Sequence, residues 1–383
     1  MQTVSLKNNG PSGNVPRSGQ YRVMIVDDSA VIRGLMSKWL GEDPAIKIVG
    51  TAGNGEIALA SMTRYDPEII ILDIEMPVMD GLTALPGFFE INPDVKVVMA
   101  STLTKRNAEI SMRALSMGAS DYVAKPESNR EIASSLSFQE EIISKVISIA
   151  AASRLRNGGT AFKGKTSLVD RQFTAFTKVS NNVKKRKFSG HKSSVLAIGS
   201  STGGPQALLE VLKGLGEVDI PIVITQHMPA TFTRILASHL TQSTNFTCKE
   251  AEEGDILENG KVYLAPGDYH MTIVEKAGKQ VVALNQDAPE NFCRPSVEPM
   301  FRSLIDVYGA GVFAVMLTGM GHDGLEASRQ LVEAGGKLIA QDEQTSIVWG
   351  MPGAVYGAGL CSGVYPLDQI GSKIKEKLSG VAK

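Results

Sequence analysis

Cysteine is nearly missing from this chain. Its three examples in 383 residues, Cys248, Cys293 and Cys361, stand far apart and outside any CxxC pattern. An odd, scattered set excludes a disulfide framework and a cysteine-pair zinc site, and the three read as buried or idle thiols. Long apolar runs are missing too. None approaches the roughly 18 residues that argue a membrane-crossing helix, so no membrane insertion is expected. The polar start MQTVSLKNNGPSGNVPRSGQ has no apolar core of a secretory signal, so a cytoplasmic protein with a disordered segment at residues 1–20 is expected. Histidine is scarce, with five in all, so few imidazoles can serve as a catalytic base.

What remains is the composition of a soluble globular protein, 43% hydrophobic and 21% charged, at a length suited to two domains. The net charge of −1 hides an uneven distribution: residues 151 to 193 hold eleven Lys or Arg and one acid, Asp170. That stretch also contains NGG, SNN and KKRK and shows no sustained periodicity, as a flexible linker reads. A basic linker is therefore expected at 151–192, between domains at 21–150 and 193–383. No recognition motif accompanies KKRK, and no helix-turn-helix follows residue 190, so nucleic acid is not expected as a partner.

From Tyr21 to about Ala150, the short β-branched runs YRVMIV, IKIVG, EIIIL, VKVVMA and SDYVAK alternate with helix-like segments. Val31, Leu35 and Trp39, beside Ile32, Met36 and Leu40, make the apolar stripe of one such helix. This alternation predicts a doubly wound parallel sheet, whose ligands gather at the carboxyl ends of the strands. There fall Asp27 and Asp28, Asp73, Ser101 and Lys125. Clustered carboxylates repel unless a hard cation neutralises them, and oxygen ligands suit Mg²⁺. With charge offset by the cation and Lys125, Asp73 is placed to attack phosphorus and form an acyl phosphate, and Ser101 to bond its oxygens.

The motifs VDDSA, LDIEMPVMDG, VVMAST and DYVAKP resemble the response-regulator receiver domain over about 120 residues. The resemblance implies a flavodoxin-like fold, Asp73 as phosphoacceptor and a histidine kinase as phosphodonor. It further implies Asp28 as a direct Mg²⁺ ligand, Asp27 as one through water and Glu75 as one through its backbone carbonyl. Tyr122 holds the place of the family's switch aromatic. One departure is LPGFFE, where Pro86 and Gly87 are expected to interrupt the third helix.

A second alternation begins at Ser193, with SSVLAIG, IPIVITQ, GKVYLA, HMTIVE, QVVALN, GVFAVMLTG and GKLIAQ as strands. The loop AIGSSTGGP follows the first. Its glycines do not fit G-x-G-x-x-G, and it lacks the Gly-Lys-Ser/Thr of a phosphate loop. GSSTG does fit the G-x-S-x-G nucleophile elbow, with Ser201 at a strand's carboxyl end. His227 directly follows PIVITQ, and Asp323 follows VFAVMLTGMGH, so serine, imidazole and carboxylate share one rim. Asp306 with His322, unlike His227 with Asp323, satisfies the chain order Ser, Asp, His of α/β-hydrolases, and the pattern leaves both pairs open. A plain turn at Ser201 also stays open.

AIGSSTGGPQAL, QHMP, YLAPGDYHM, RPSVEPMF and LTGMGHDG closely resemble the catalytic domain of the chemotaxis protein-glutamate methylesterase/protein-glutamine glutaminase (CheB) family, over nearly all of 193–380. Receiver, linker and Rossmann-like esterase domain are in that family's order. The resemblance implies Ser201 as nucleophile, His227 as base and Asp323 as its orienting acid, with His322 a bystander. The candidate oxyanion donors are the backbone N–H groups of Thr202 and Met320, and the esterase site needs no cofactor. It also implies glutamyl methyl esters and certain glutamines of methyl-accepting chemoreceptor cytoplasmic domains as substrates, with recruitment to receptor clusters. Cys293 and Glu298 depart from the family's usual His and Asp, and both are expected to alter the substrate groove. A different serine hydrolase, an amidase or peptidase on the same three residues, is the rival reading.

Overall fold

The structure is a computed structural model that describes residues 17–102, 104–126, 135–164, 183 and 185–379. In its first half, strands β1 (Tyr21–Val26), β2 (Ile46–Ala52), β3 (Ile69–Asp73), β4 (Lys96–Thr102) and β5 (Asp121–Lys125) form a parallel sheet in the order β2-β1-β3-β4-β5. Helices α1 (Ala30–Glu42), α2 (Gly55–Tyr65), α3 (Gly81–Ile91), α4 (Lys105–Ser116) and α5 (Leu136–Arg156) cover it. Strand β3 is buried along its whole length, as a central strand covered on both faces must be. Helix starts are set by Ser29, Asn54 and Asp80, whose side chains accept from the N–H three residues on. On α1 the buried stripe is Ile32, Met36, Trp39 and Leu40, while Val31 is exposed.

Two departures from expectation concern helices. Helix α3 runs unbroken through Pro86, and Gly87 lets it lie close to α2, since a Cβ there would sit 2.9 Å from a Leu59 methyl. Helix α5 crosses residue 150 and ends at Arg156. Arg154, from the basic stretch, is buried and forks onto Glu68 at 2.5 and 2.6 Å. The Phe162 N–H donates to the Tyr21 hydroxyl at 3.0 Å. Most of the remaining stretch, 165–182 and 184, lies outside the described residues.

The second half holds a seven-stranded parallel sheet of order β14-β13-β12-β6-β7-β9-β8. Its strands are β6 (Val195–Ser200), β7 (Ile222–Gln226), β8 (Thr247–Glu250), β9 (Lys261–Leu264), β12 (Val312–Met316), β13 (Lys337–Gln341) and β14 (Gly363–Tyr365). The expected strands β10 (His270–Lys276) and β11 (Lys279–Asn285) leave the sheet as an antiparallel hairpin. Among the described residues, six helices flank these strands: α6 (Gly204–Leu215), α7 (Ala230–Ser243), α8 (Val297–Tyr308), α9 (Leu325–Glu333), α10 (Met351–Gly357) and α11 (Leu367–Leu378). The chain leaves β6 toward β7 on one side and reaches β12 on the other, so the strand order reverses between β6 and β12. That crevice is where such sheets bind ligands.

The two halves pack directly on one another. Tyr122 of β5 stacks on Phe232 of α7, ring centroids 4.2 Å apart and 6° from parallel. Gln206 of α6 donates to the Ala119 carbonyl at 3.0 Å and also to that of Leu115. The hydroxyls of Ser144 and Ser148 on α5 reach the Met320 sulfur at 3.4 and 3.2 Å. Arg156 donates to the carbonyls of Ser346 and Ile347. The apolar cores accordingly merge, with Met24 and Phe88 in the same cluster as Leu208 and Phe313.

Candidate active site

The loop after β6 turns within a few residues because two positions accept nothing larger than glycine. Gly203 takes φ 77°, and a Cβ on Gly204 would fall 1.8 Å from Gln226 Oε1. Pro205 then opens α6. The two serines of the loop have different fates. The buried Ser200 hydroxyl donates to Gln226 Oε1 at 2.7 Å, while the Gln226 amide donates to the Ser201 and His227 carbonyls at 2.9 and 3.1 Å. Ser201 is half-buried, and its hydroxyl makes no hydrogen bond among the described residues. Its N–H is held by the Thr318 carbonyl at 3.0 Å, which ties the loop to the segment after β12.

His227 stands at the carboxyl end of the neighbouring strand, its N–H on the Ser200 carbonyl at 3.2 Å. Its Nε2 meets Asp323 Oδ2 at 2.7 Å, so the pairing left open in the sequence falls to Asp323. Asp306 is exposed near the end of α8. The buried Asp323 carboxylate also accepts from Asn291 Nδ2 at 2.9 Å, Ser296 Oγ at 2.7 Å and the Val297 N–H at 2.6 Å. Burial alone would raise its pKa. The donors, His227 foremost, reverse this and hold it at about 2, so the carboxylate stays charged. The first turn of α8 adds the favourable end of a helix dipole.

The other imidazole nitrogen, Nδ1, lies 3.3 Å from Cys293 Sγ, and no hydrogen bond joins it to Ser201. Burial disfavours a charged ring, yet Cys293 and Asp323 outweigh it and raise the His227 pKa to about 10. The structure thus brings His227 and Asp323 into contact and leaves Ser201 beside them, unbonded. Thr202 and Met320 flank the same crevice. Their backbone N–H groups have no hydrogen-bond partner among the described residues, which suits donors awaiting an oxyanion.

Sequence reasoning missed Asn291 and Ser296. The quoted motif RPSVEP contains Ser296, whose side chain also caps α8, so a helix-start signal was present. Glu298 differs from expectation. It is buried, accepting from the N–H groups of Glu326 and Ala327 at 3.0 and 2.7 Å, and so caps α9. Cys293, by contrast, sits against the imidazole itself.

At the carboxyl end of the first sheet, Asp27, Asp28 and Asp73 offer carboxylate oxygens within 4.8 Å of one another. Lys125 Nζ bridges Asp27 and Asp73 at 2.6 and 2.7 Å. Burial, then the Asp27 charge, raise the Asp73 pKa to about 6 despite Lys125. One lysine against three acids leaves excess negative charge, a donor set that fits a hard divalent cation. Glu75 is exposed beside the cluster, with Arg106 at 3.9 Å. The buried Ser101 hydroxyl is engaged with that of Ser111 at 3.2 Å. Tyr122 is buried, with Lys145 5.1 Å from its ring centre on the helix that also touches Met320.

The CheB methylesterase model matches residues 196–374, and the response regulator receiver domain model matches residues 23–137. The chain is 48% identical to the Rhodospirillum centenum protein-glutamate methylesterase/protein-glutamine glutaminase of group 2 operon, over 96% of this chain and 95% of that protein. It is 50% identical to the Azospirillum brasilense protein-glutamate methylesterase/protein-glutamine glutaminase, over 97% and 95%. Among solved structures, the Thermotoga maritima CheB methylesterase catalytic domain aligns at 37% identity and a TM-score of 0.48, over 49% of this chain and 100% of that one.

Proposed function

The chain belongs to the protein-glutamate methylesterase/protein-glutamine glutaminase family, and on that premise we propose that Ser201, His227 and Asp323 carry the hydrolysis. The protein is a methylesterase and glutaminase joined to a receiver domain, an enzyme of chemotactic adaptation regulated by phosphorylation. It releases methanol from glutamyl methyl esters and ammonia from glutamine side chains. The observation that carries the assignment is the His227–Asp323 bond at the strand-order reversal, beside the half-buried and unbonded Ser201.

In this mechanism Asp323 keeps the proton on Nε2, which leaves Nδ1 as the base. Nδ1 exchanges its contact with Cys293 for the Ser201 hydroxyl and takes its proton as Oγ attacks the ester carbonyl. The N–H groups of Thr202 and Met320 receive the oxyanion. The Nδ1 proton passes to the departing methoxide, and methanol leaves an acyl-serine. Water then attacks, giving its proton to Nδ1, and the glutamate is freed as Ser201 recovers its own.

In the receiver, Asp73 is the phosphoacceptor, and Asp27, Asp28, Asp73 and the Glu75 carbonyl are the residues that would hold Mg²⁺. The cation, when bound, offsets charge on the incoming phosphoryl group. Lys125, which bridges Asp27 and Asp73, and Ser101, next along β4 from the residue paired with Asp73, are the groups that would bond the new oxygens. Helix α5 lies on Met320, so the unmodified receiver restricts the oxyanion side of the crevice. Histidine kinase as phosphodonor, chemoreceptor cytoplasmic domains as substrate, a cytoplasmic location and clustering with receptors complete the reading. No helix among the described residues is long and apolar enough to cross a membrane. The domain limits proposed are a receiver from 21 that extends through α5 to Arg156, a basic linker up to 192 and a catalytic domain at 193–383. The test is methanol release from methylated receptor, with and without a small phosphodonor. Ser201→Ala should abolish it and the phosphodonor should raise it in wild type; a Ser201→Ala protein that keeps wild-type turnover refutes the assignment.

A further inference from the structure

Residues 290 to 293 form a two-residue hairpin turn, closed by Glu290 N–H to Cys293 O at 3.1 Å and Cys293 N–H to Glu290 O at 2.9 Å. Its central residues, Asn291 and Phe292, both have positive φ, 51° and 64°. Turns of this hand take Asn readily at the first position and want glycine at the second, because a Cβ is strained there. Here the second position is phenylalanine. Both neighbours of that ring are committed to the triad: the Asn291 amide holds Asp323, and the Cys293 sulfur meets His227. The base of the turn is clamped by Arg302, which forks onto Glu290.

Phe292 itself touches little. At 90% exposure it is the most exposed large apolar side chain among the described residues. A left-handed backbone is strained for an aromatic residue, and a ring standing in water offsets none of that strain inside the chain, so its use lies outside it. A glutamyl ester side chain is short, so the protein segment that carries it must lie across the surface bordering Ser201 and His227. The ring stands on that border.

We propose that Phe292 is a specificity-determining contact for protein substrates, packing on an apolar side chain a few positions from the esterified glutamate. This rests on the esterase reading of the site. The strained turn serves to hold the ring out without flexing, so little ordering cost remains when substrate arrives.

Glycine suits φ 64°, so Phe292→Gly removes the ring and keeps the turn. The full chain, treated with a small phosphodonor, is assayed on methylated receptor and on p-nitrophenyl acetate, an ester with no flanking residues. For Phe292→Gly we expect about a tenfold loss in kcat/KM on receptor, mostly in KM, somewhat below the scale of a full aromatic hot spot. Hydrolysis of the small ester should be unchanged, and Phe292→Trp should retain receptor activity. Undiminished receptor turnover in Phe292→Gly overturns the proposal. Equal losses on both substrates also overturn it, since they would mean the ring acts through the geometry of His227. Ser201→Ala run alongside tests the underlying reading separately, because it must abolish both activities whatever Phe292 does.

Discussion

Replacing Arg156 by alanine cuts the contact at the far end of α5 without touching either site. Its guanidinium donates to two backbone carbonyls, Ser346 and Ile347, in the loop that leads to α10, and it is part-buried where the halves meet. Hydrogen bonds from a charged donor are worth about 1.5–3 kcal/mol net. The lower end applies here, because the carbonyls regain water when the halves separate. A loss of about 1.5–2 kcal/mol raises the separated fraction about 10- to 30-fold while that fraction is small, at about 1.4 kcal/mol per decade. Methanol release from methylated receptor without phosphodonor should rise by a similar factor. The phosphorylated ceiling should stay put, and Arg156→Lys should fall between. Basal turnover equal to wild type would refute the link between this contact and access to the crevice. A raised ceiling would show Arg156 acting on the chemistry instead.

Other expectations follow from the same geometry. Cys293→Ala removes the first of the influences raising the His227 pKa. Because the base must start neutral, the acid limb of the kcat/KM–pH profile should move to lower pH; a limb that stays or moves up counts against Cys293 as the cause. Asp323→Asn should lower kcat by about 10³ to 10⁴ with little change in KM, the loss that follows when an imidazole loses its orienting carboxylate. Burial raises the Asp73 pKa to about 6 from the ordinary carboxyl value of 3.8. A raised carboxyl stabilises the fold below its unfolded pKa and loses that stabilisation as pH rises through about 4 to 6. At neutral pH in chelator, Asp73→Asn should therefore stabilise the receiver half by about 3 kcal/mol, and calorimetry showing no rise in melting temperature would contradict this. Gly204→Ala drives a methyl into Gln226 and should cost about 1–3 kcal/mol, visible in denaturant titration.

The sheets were legible because strands buried on both faces leave short β-branched runs, and their ends mark where polar side chains gather. That logic placed Asp27, Asp73, Ser201 and His227 correctly on strand ends. Strands β8 and β14 were not legible, being edge pieces of four and three residues whose pairing comes from the neighbour rather than from their own pattern. The choice of Asp323 over Asp306 was open because it depends on which residue stays at the rim, and Asp306 is carried onto an exposed helix surface. Helix α5 carried no single apolar stripe, since it is buried on several sides between two bodies, from Phe138 through Ala150. Its end was hidden for the same reason, and Arg154 looked like one more linker cation although Glu68 holds it inside. Asn291 and Phe292 carried no signal, because a left-handed aromatic is invisible until the backbone is traced.

The Tyr122–Phe232 stack carries a consequence for handling and for physiology. Any opening between the halves would wet two faces that lie flat against each other. If phosphorylation opens this seam, the active form exposes two aromatic faces and should self-associate more readily in dilute buffer than the unmodified chain. Light scattering should grow on phosphodonor addition and fade when receptor is supplied.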